Sequence, residues 1–118
     1  MSMESDLLAL LKTVCPTVWE DDVPDGTVPP YVTWQQIGGR PLRAIDGAAM
    51  DKRNSLIQIN AWSKTRTESR TMIRAIENAL CTSALFAVEQ QDEAQSTTED
   101  EPKLYGKIQR FSIYAART

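Results

Sequence analysis

The chain has 118 residues, 42% of them hydrophobic and 25% charged, and its acidic side chains outnumber the basic ones to leave a net charge of −3. That length fits a single domain, 1–118, which can bury about two thirds of its unfolded surface without a disulfide or metal staple. The balance excludes a disordered polyelectrolyte, and the absence of histidine removes the commonest general base and the commonest transition-metal ligand.

In chain order, Ser2 is placed to cap a first helix in which Met3, Leu7, Leu10, Leu11 and Val14 fall on one stripe. Glu4 and Asp6 stand where a secretory leader would be basic, and no apolar run is long enough to cross a bilayer, so a cytoplasmic location is expected. Without a secretion signal, Cys15 and Cys81 read as reduced packing residues. Pro16 ends the helix, because proline disfavours the helical conformation in the residue before it. Trp19 to Pro30 is a turn-rich acidic connection containing Glu20, Asp21, Asp22 and Asp25.

Tyr31–Ile37 (YVTWQQI) and Leu56–Trp62 (LIQINAW) are rich in aromatic and β-branched residues and read as strands. Asp46-Gly47 between them signals a tight turn. Pairing about it sets Trp34 opposite Ile59 and Tyr31 opposite Trp62, with a long arm, Arg40–Asn54, at the far end. Gly38-Gly39 and Pro41 make that arm irregular or an unpaired edge. Thr65 and Glu68 form a T-x-x-E capping box for a second helix, whose apolar stripe is Met72, Ile73, Ile76, Ala79 and Leu80. Leu85–Val88 reads as a short strand and Glu89–Pro102 as a mobile acidic loop. Leu104–Ala116 is the last strand, with Phe111, Ile113 and Ala115 on one face and Ile108 and Tyr114 on the other. The expected fold is α+β: a four-stranded antiparallel sheet, a long hairpin plus the C-terminal strands, with two helices on one face in the order α-β-β-α-β-β.

Arg66, Arg70 and Arg74 share one face of the second helix. Like charges four apart cost a few tenths of a kcal/mol per pair, and cations in the first turn oppose the helix dipole. Only Arg74 has an obvious local partner, Glu77. A solvated face with stems covering apolar surface is one reading; a row awaiting carboxylates or phosphates of another molecule is the other. Arg40, Arg43, Lys52, Arg53 and Lys64 extend the basic region. Glu93, Glu99, Asp100 and Glu101, with Glu89 and Asp92, make the late loop acidic. Unlike-charged regions on one subunit allow copies to join head to tail and close a ring, although an ordinary mixed surface has the same composition.

Other chemistries fit less well. Pro24-Asp25 and Glu101-x-Lys103 echo a PD…(D/E)xK nuclease pattern, but both pieces fall in expected turns far apart in the chain. Nucleic-acid binding has basic residues to work with, yet the chain is net acidic and has no binding module or phosphate-cradling glycine loop. Trp19, Trp34 and Trp62 are expected to pack in the core rather than stack on bases.

The leucine-rich first helix, PPYVTWQQI, the arm, LIQINAWSKTRTESRTMIRAIENAL and the closing KIQRFSIYAA together resemble the small tail-completion, tail-terminator or minor tail proteins of long-tailed bacteriophages and prophages. The resemblance covers nearly the whole chain. It implies a structural virion-assembly protein without catalysis, cofactor or metal, which forms a ring, typically sixfold, on the end of the tail tube. Such a ring stops elongation and offers the head-joining surface. Its implied partners are its own copies, the tail tube protein and the head connector protein, with no membrane and no specific nucleic acid. Its place is the host cytoplasm during assembly and then the virion tail. On this reading the arm and the arginine row meet acidic segments of a neighbour or of the tube. The alternatives are a head–tail connector of another kind or a small nucleic-acid-binding or nuclease-like protein.

Overall fold

A computed structural model describes residues 3–40, 52–100 and 103–116. Helix α1 spans Met3–Lys12, and Met3, Leu7 and Leu11 are its buried face. Strand β1, Val18–Glu20, follows, then β2, Tyr31–Gly38, and β3, Lys52–Ser63. Helix α2 runs Arg66–Thr82, and the chain closes with β4, Ala87–Gln90, β5, Gln95–Asp100, and β6, Lys103–Ala116.

The sheet has six strands in the order β1-β2-β3-β6-β4, with β5 also paired to β6. It is mixed, because β1 runs parallel to β2 while every other pair is antiparallel. The expected four-stranded antiparallel sheet with order α-β-β-α-β-β is therefore incorrect; the order is α-β-β-β-α-β-β-β. Two short strands account for the difference. β1 has three residues beside an acidic run, too few to show periodicity. β5 lies in the stretch 89–102 expected to be a loop. Strand β6 is 14 residues long, so its outer edge accommodates two strands in succession: β4 against 111–114 and β5 against 103–108. Backbone pairing, not apolar content, makes β5 a strand, and its Thr97 and Thr98 suit an edge position.

The break between β4 and β5 is itself bonded. The Asp92 carboxylate accepts from the Arg110 backbone N–H at 3.1 Å and from Arg110 Nε at 2.9 Å, with Nη2 at 2.7 Å. The Asp92 carbonyl accepts from Gln109 Nε2 at 2.9 Å. The strand expected at Leu85–Val88 lies two residues later, and Leu85 is exposed.

The β2–β3 register has Tyr31 opposite Trp62 and Trp34 opposite Ile59, then shifts between Gln36 and Gly38. The Asp46-Gly47 turn and the arm from Pro41 to Asp51 lie outside the described residues. Lys52–Asn54, expected in the arm, belongs to β3 and pairs with Ala116–Tyr114.

The core occupies one face of the sheet. Val32, Trp34, Ile57, Ile59, Ala61, Phe111, Ile113 and Ala115 form one cluster with Leu7 and Leu11 of α1 and Met72, Ile73, Ile76 and Leu80 of α2. The alternation of these strand positions follows from the two-residue period of a strand. Cys15 packs in this cluster, whereas Cys81 is exposed and does not.

On the opposite face a smaller cluster forms at one end, where Tyr31, Trp62 and Leu104 meet Val23. A parallel neighbour needs a crossover, and the 21–30 connection from β1 to β2 brings Val23 onto that end of the sheet. Trp34 and Trp62 are buried, but Trp19, expected in the core, is 38% exposed on the edge strand. Gly106 faces Trp62 across the ladder, and a Cβ there would lie 2.8 Å from two atoms of the indole ring. Only glycine leaves the room that this ring occupies.

Candidate functional site

The handover from β3 to α2 orients the arginine row. Thr65 caps the helix, its hydroxyl accepting from the Glu68 N–H at 3.2 Å. The reciprocal half of the capping box runs through Ser63, which is fully buried. The Ser63 hydroxyl donates to Glu68 Oε1 and accepts from the Thr65 N–H at 3.1 Å. Thus the Ala61-Trp62-Ser63 end of the strand clamps the first helical turn, fixing the direction in which Arg66, Arg70 and Arg74 project.

All three arginines are exposed. The Arg66 guanidinium lies over the Tyr105 ring, 5.0 Å from its centroid, a contact that stabilises the cation modestly at an exposed site. Arg70 and Arg74 have no ion pair or hydrogen bond among the described residues. Glu77, the partner expected for Arg74, is engaged elsewhere: its Oε1 accepts from Gln109 Nε2 at 2.9 Å and from Gln90 Nε2. Glu93 lines a small hollow of about 130 Å³ together with Arg70, Arg74, Glu77 and Lys107. It therefore sits beside the row rather than on a separate acidic surface.

The arm's roots are at the other end of the long strands. Arg40 donates its backbone N–H to Asn54 Oδ1 at 2.8 Å and Nη2 to the Tyr114 hydroxyl at 2.7 Å. Asn54 is buried and donates to Ser112 Oγ at 2.7 Å. Gly39, at φ +153°, passes so close to the Asn54 carbonyl that a Cβ would overlap it. Lys52 and Arg53 are exposed nearby at the start of β3. Arg43 and Glu101 lie outside the described residues, as does the Asp100 side chain.

Glu99 belongs to a third place. It lines an open groove of about 1010 Å³ between the 21–29 segment and the sheet, with Asp21, Asp22, Asp25, Lys64 and Lys103. Tyr31, Trp62, Leu104 and Tyr105 contribute its aromatic and apolar wall. Burial first, and then the Glu99 carboxylate, raise the Tyr31 phenol above its ordinary value of 10.0. The sequence showed the acidic run but not that a chain crossover would set it over an aromatic floor. Asp25 and Lys103, two pieces of the nuclease echo, do share this groove. Among the described residues, however, no three carboxylate or thiolate side chains converge as metal ligands would.

The described residues thus form an α+β domain whose exposed charges gather on the α2 face, at the root of the 40–52 connection and around the groove under the 21–29 segment. The family model of tail completion protein gp17 matches residues 2–116, and the chain belongs to that family. Tail completion, the description that family carries, makes it a phage tail protein. No curated protein matches it. Among solved structures, a similar chain is a protein from Akkermansia muciniphila described as lacking its transmembrane region, at 8% identity and a TM-score of 0.49. That match covers 96% of the present chain and 52% of the other, so this chain spans about half the length of that relative. No helix among the described residues is long and apolar enough to cross a membrane.

Proposed function

We propose that the protein caps the tube as one subunit of a ring of its own copies, sixfold as in tail terminators generally, with one surface on the tail tube protein and another towards the head connector protein. The carrying observation is the pair Arg70 and Arg74: both are exposed without an ion pair among the described residues, while Glu77 is bonded to two glutamines. Like charges four residues apart repel, and with no ion pair of their own these two favour acidic groups from another molecule. Arg40, Lys52 and Arg53 provide a second basic surface, extended in sequence by Arg43. Glu99, with Asp100 and Glu101 next to it in sequence, supplies negative charge for the reciprocal contact. Assembly takes place in the bacterial cytoplasm, and the protein then resides in the virion tail.

Electron microscopy of particles made without this protein tests the reading. Overlong tails of variable length are expected. Tails of normal length that lack heads would replace termination with a connector role. Duplex DNA titration at low and moderate salt addresses the nucleic-acid alternative, which predicts tight binding with a steep salt dependence.

A further inference from the structure

The groove beneath the 21–29 segment has no part in the arginine row, and its chemistry is specific. Four carboxylates, Asp21, Asp22, Asp25 and Glu99, rim it against two lysines. The wall beneath is apolar and aromatic, and Val28 on the rim is 72% exposed. A segment that fits must be extended, carry cations and offer apolar side chains between them. Residues 40–53, RPLRAIDGAAMDKR, have that composition, with Arg40, Arg43, Lys52 and Arg53 against Asp46 and Asp51, and with Pro41, Leu42 and Ile45 among them.

Its roots cannot reach the groove of their own chain by a short path. Arg40 and Lys52 stand at the Gly38/Leu56 end of the β2–β3 pair, and the groove is at the Tyr31/Trp62 end. Trp62 is ten residue steps along β3 from Lys52, about 33 Å of extended chain. Complementary surfaces at opposite ends of one sheet make a heterologous contact, the kind that propagates from copy to copy and closes when the rotation allows.

We infer that this groove is the seat for the 40–53 segment of a second copy of the chain. The inference deepens the ring reading by naming the subunit contact, and rests on it for the biological setting only.

The test uses a fluorescently labelled peptide of residues 39–54, titrated with the full-length protein at low salt and followed by anisotropy. Saturable binding is expected, with a scrambled peptide of the same composition binding at least tenfold more weakly. The variant Asp21→Asn/Asp22→Asn/Asp25→Asn removes three charges from exposed positions while keeping side-chain shape, and should weaken binding about tenfold. Its circular dichroism and urea midpoint serve to verify folding. Equal binding of the native and scrambled peptides, or undiminished binding by a folded triple variant, overturns the inference. The two readings fail separately. A chain that still forms rings but does not take the peptide loses the groove contact alone; one that takes the peptide but never closes a ring loses the ring alone.

Discussion

Replacing Ser63 by alanine should loosen the joint between β3 and α2, and the structure sets the size of the effect. Ser63 is fully buried, and its hydroxyl serves two partners, the Glu68 carboxylate and the Thr65 N–H. A buried hydrogen bond to a charged group contributes about 1.5–3 kcal/mol, but Glu68 is exposed and water replaces part of the loss. About 1 kcal/mol is therefore assigned to that bond, with about 0.5–1 kcal/mol more for the Thr65 donor left without its acceptor. Ser63→Ala should cost about 1.5–2 kcal/mol in all, or about 1 M in the urea midpoint for a domain of this size. Urea unfolding followed by tryptophan fluorescence measures it, since Trp62 adjoins the site. Thr65→Ala alone should cost about 1 kcal/mol, and the double variant less than the sum, because both side chains hold one turn. A midpoint shift below about 0.3 M for Ser63→Ala, or strict additivity in the double variant, would refute the reasoning.

Further consequences are open to equally direct tests. Gly106→Ala drives a methyl group into Trp62 at 2.8 Å and into Thr97 Cγ2 at 2.9 Å, and should destabilise the fold by about 1–3 kcal/mol; unchanged thermal unfolding would contradict that packing. Tyr31 has its folded pKa raised, by burial first and Glu99 second. Below 10.0 both folded and unfolded states keep the proton and the contribution is complete; as pH climbs through the raised folded value, the unfolded chain releases its proton first and stability falls. Tyr31→Phe should flatten that alkaline limb, and identical limbs in the two proteins would count against it. Of the two cysteines, exposed Cys81 should react with a thiol reagent in the native protein and buried Cys15 only on unfolding. Cys81 should nevertheless react sluggishly at neutral pH, since partial desolvation of its sulfur, and then the Glu77 charge, raise its pKa; fast neutral labelling would contradict this.

Where apolar periodicity was strong, sequence and structure agree on the buried face, although Val14 lies past the end of α1 and Leu10 and Ala79 are only partly buried. The helix stripes and the facing of Phe111, Ile113 and Ala115 follow from burial on a known repeat, and the Trp34–Ile59 pairing is the one expected from pairing about Asp46-Gly47. Strands held by backbone pairing alone left no such trace. The polar residues of β5 gain nothing from an apolar core, and only the unfilled edge of long β6 makes them a strand. The candidate site divides in the same way. That Arg66, Arg70 and Arg74 share a helix face was legible from spacing. That Glu77 would be claimed by Gln90 and Gln109, or that Glu93 would settle beside the row, depends on contacts between segments far apart in sequence. The groove was hidden for the same reason, because the parallel placement of β1 alone requires a crossover over Tyr31 and Trp62.

The central claim is that charge on this subunit joins it to other protein copies. Arg70→Glu/Arg74→Glu tests it most directly, because both side chains are exposed and lack ion partners among the described residues. The variant should keep its folding stability to within about 0.5 kcal/mol. Mass should be measured by sedimentation across concentration at low salt, with the tail tube present and absent. The account predicts a ring for the native chain under at least one of these conditions and a monomer for the folded variant under all of them. Assembly by the variant matching that of the native protein would contradict it and return the arginines to the role of a solvated helix face.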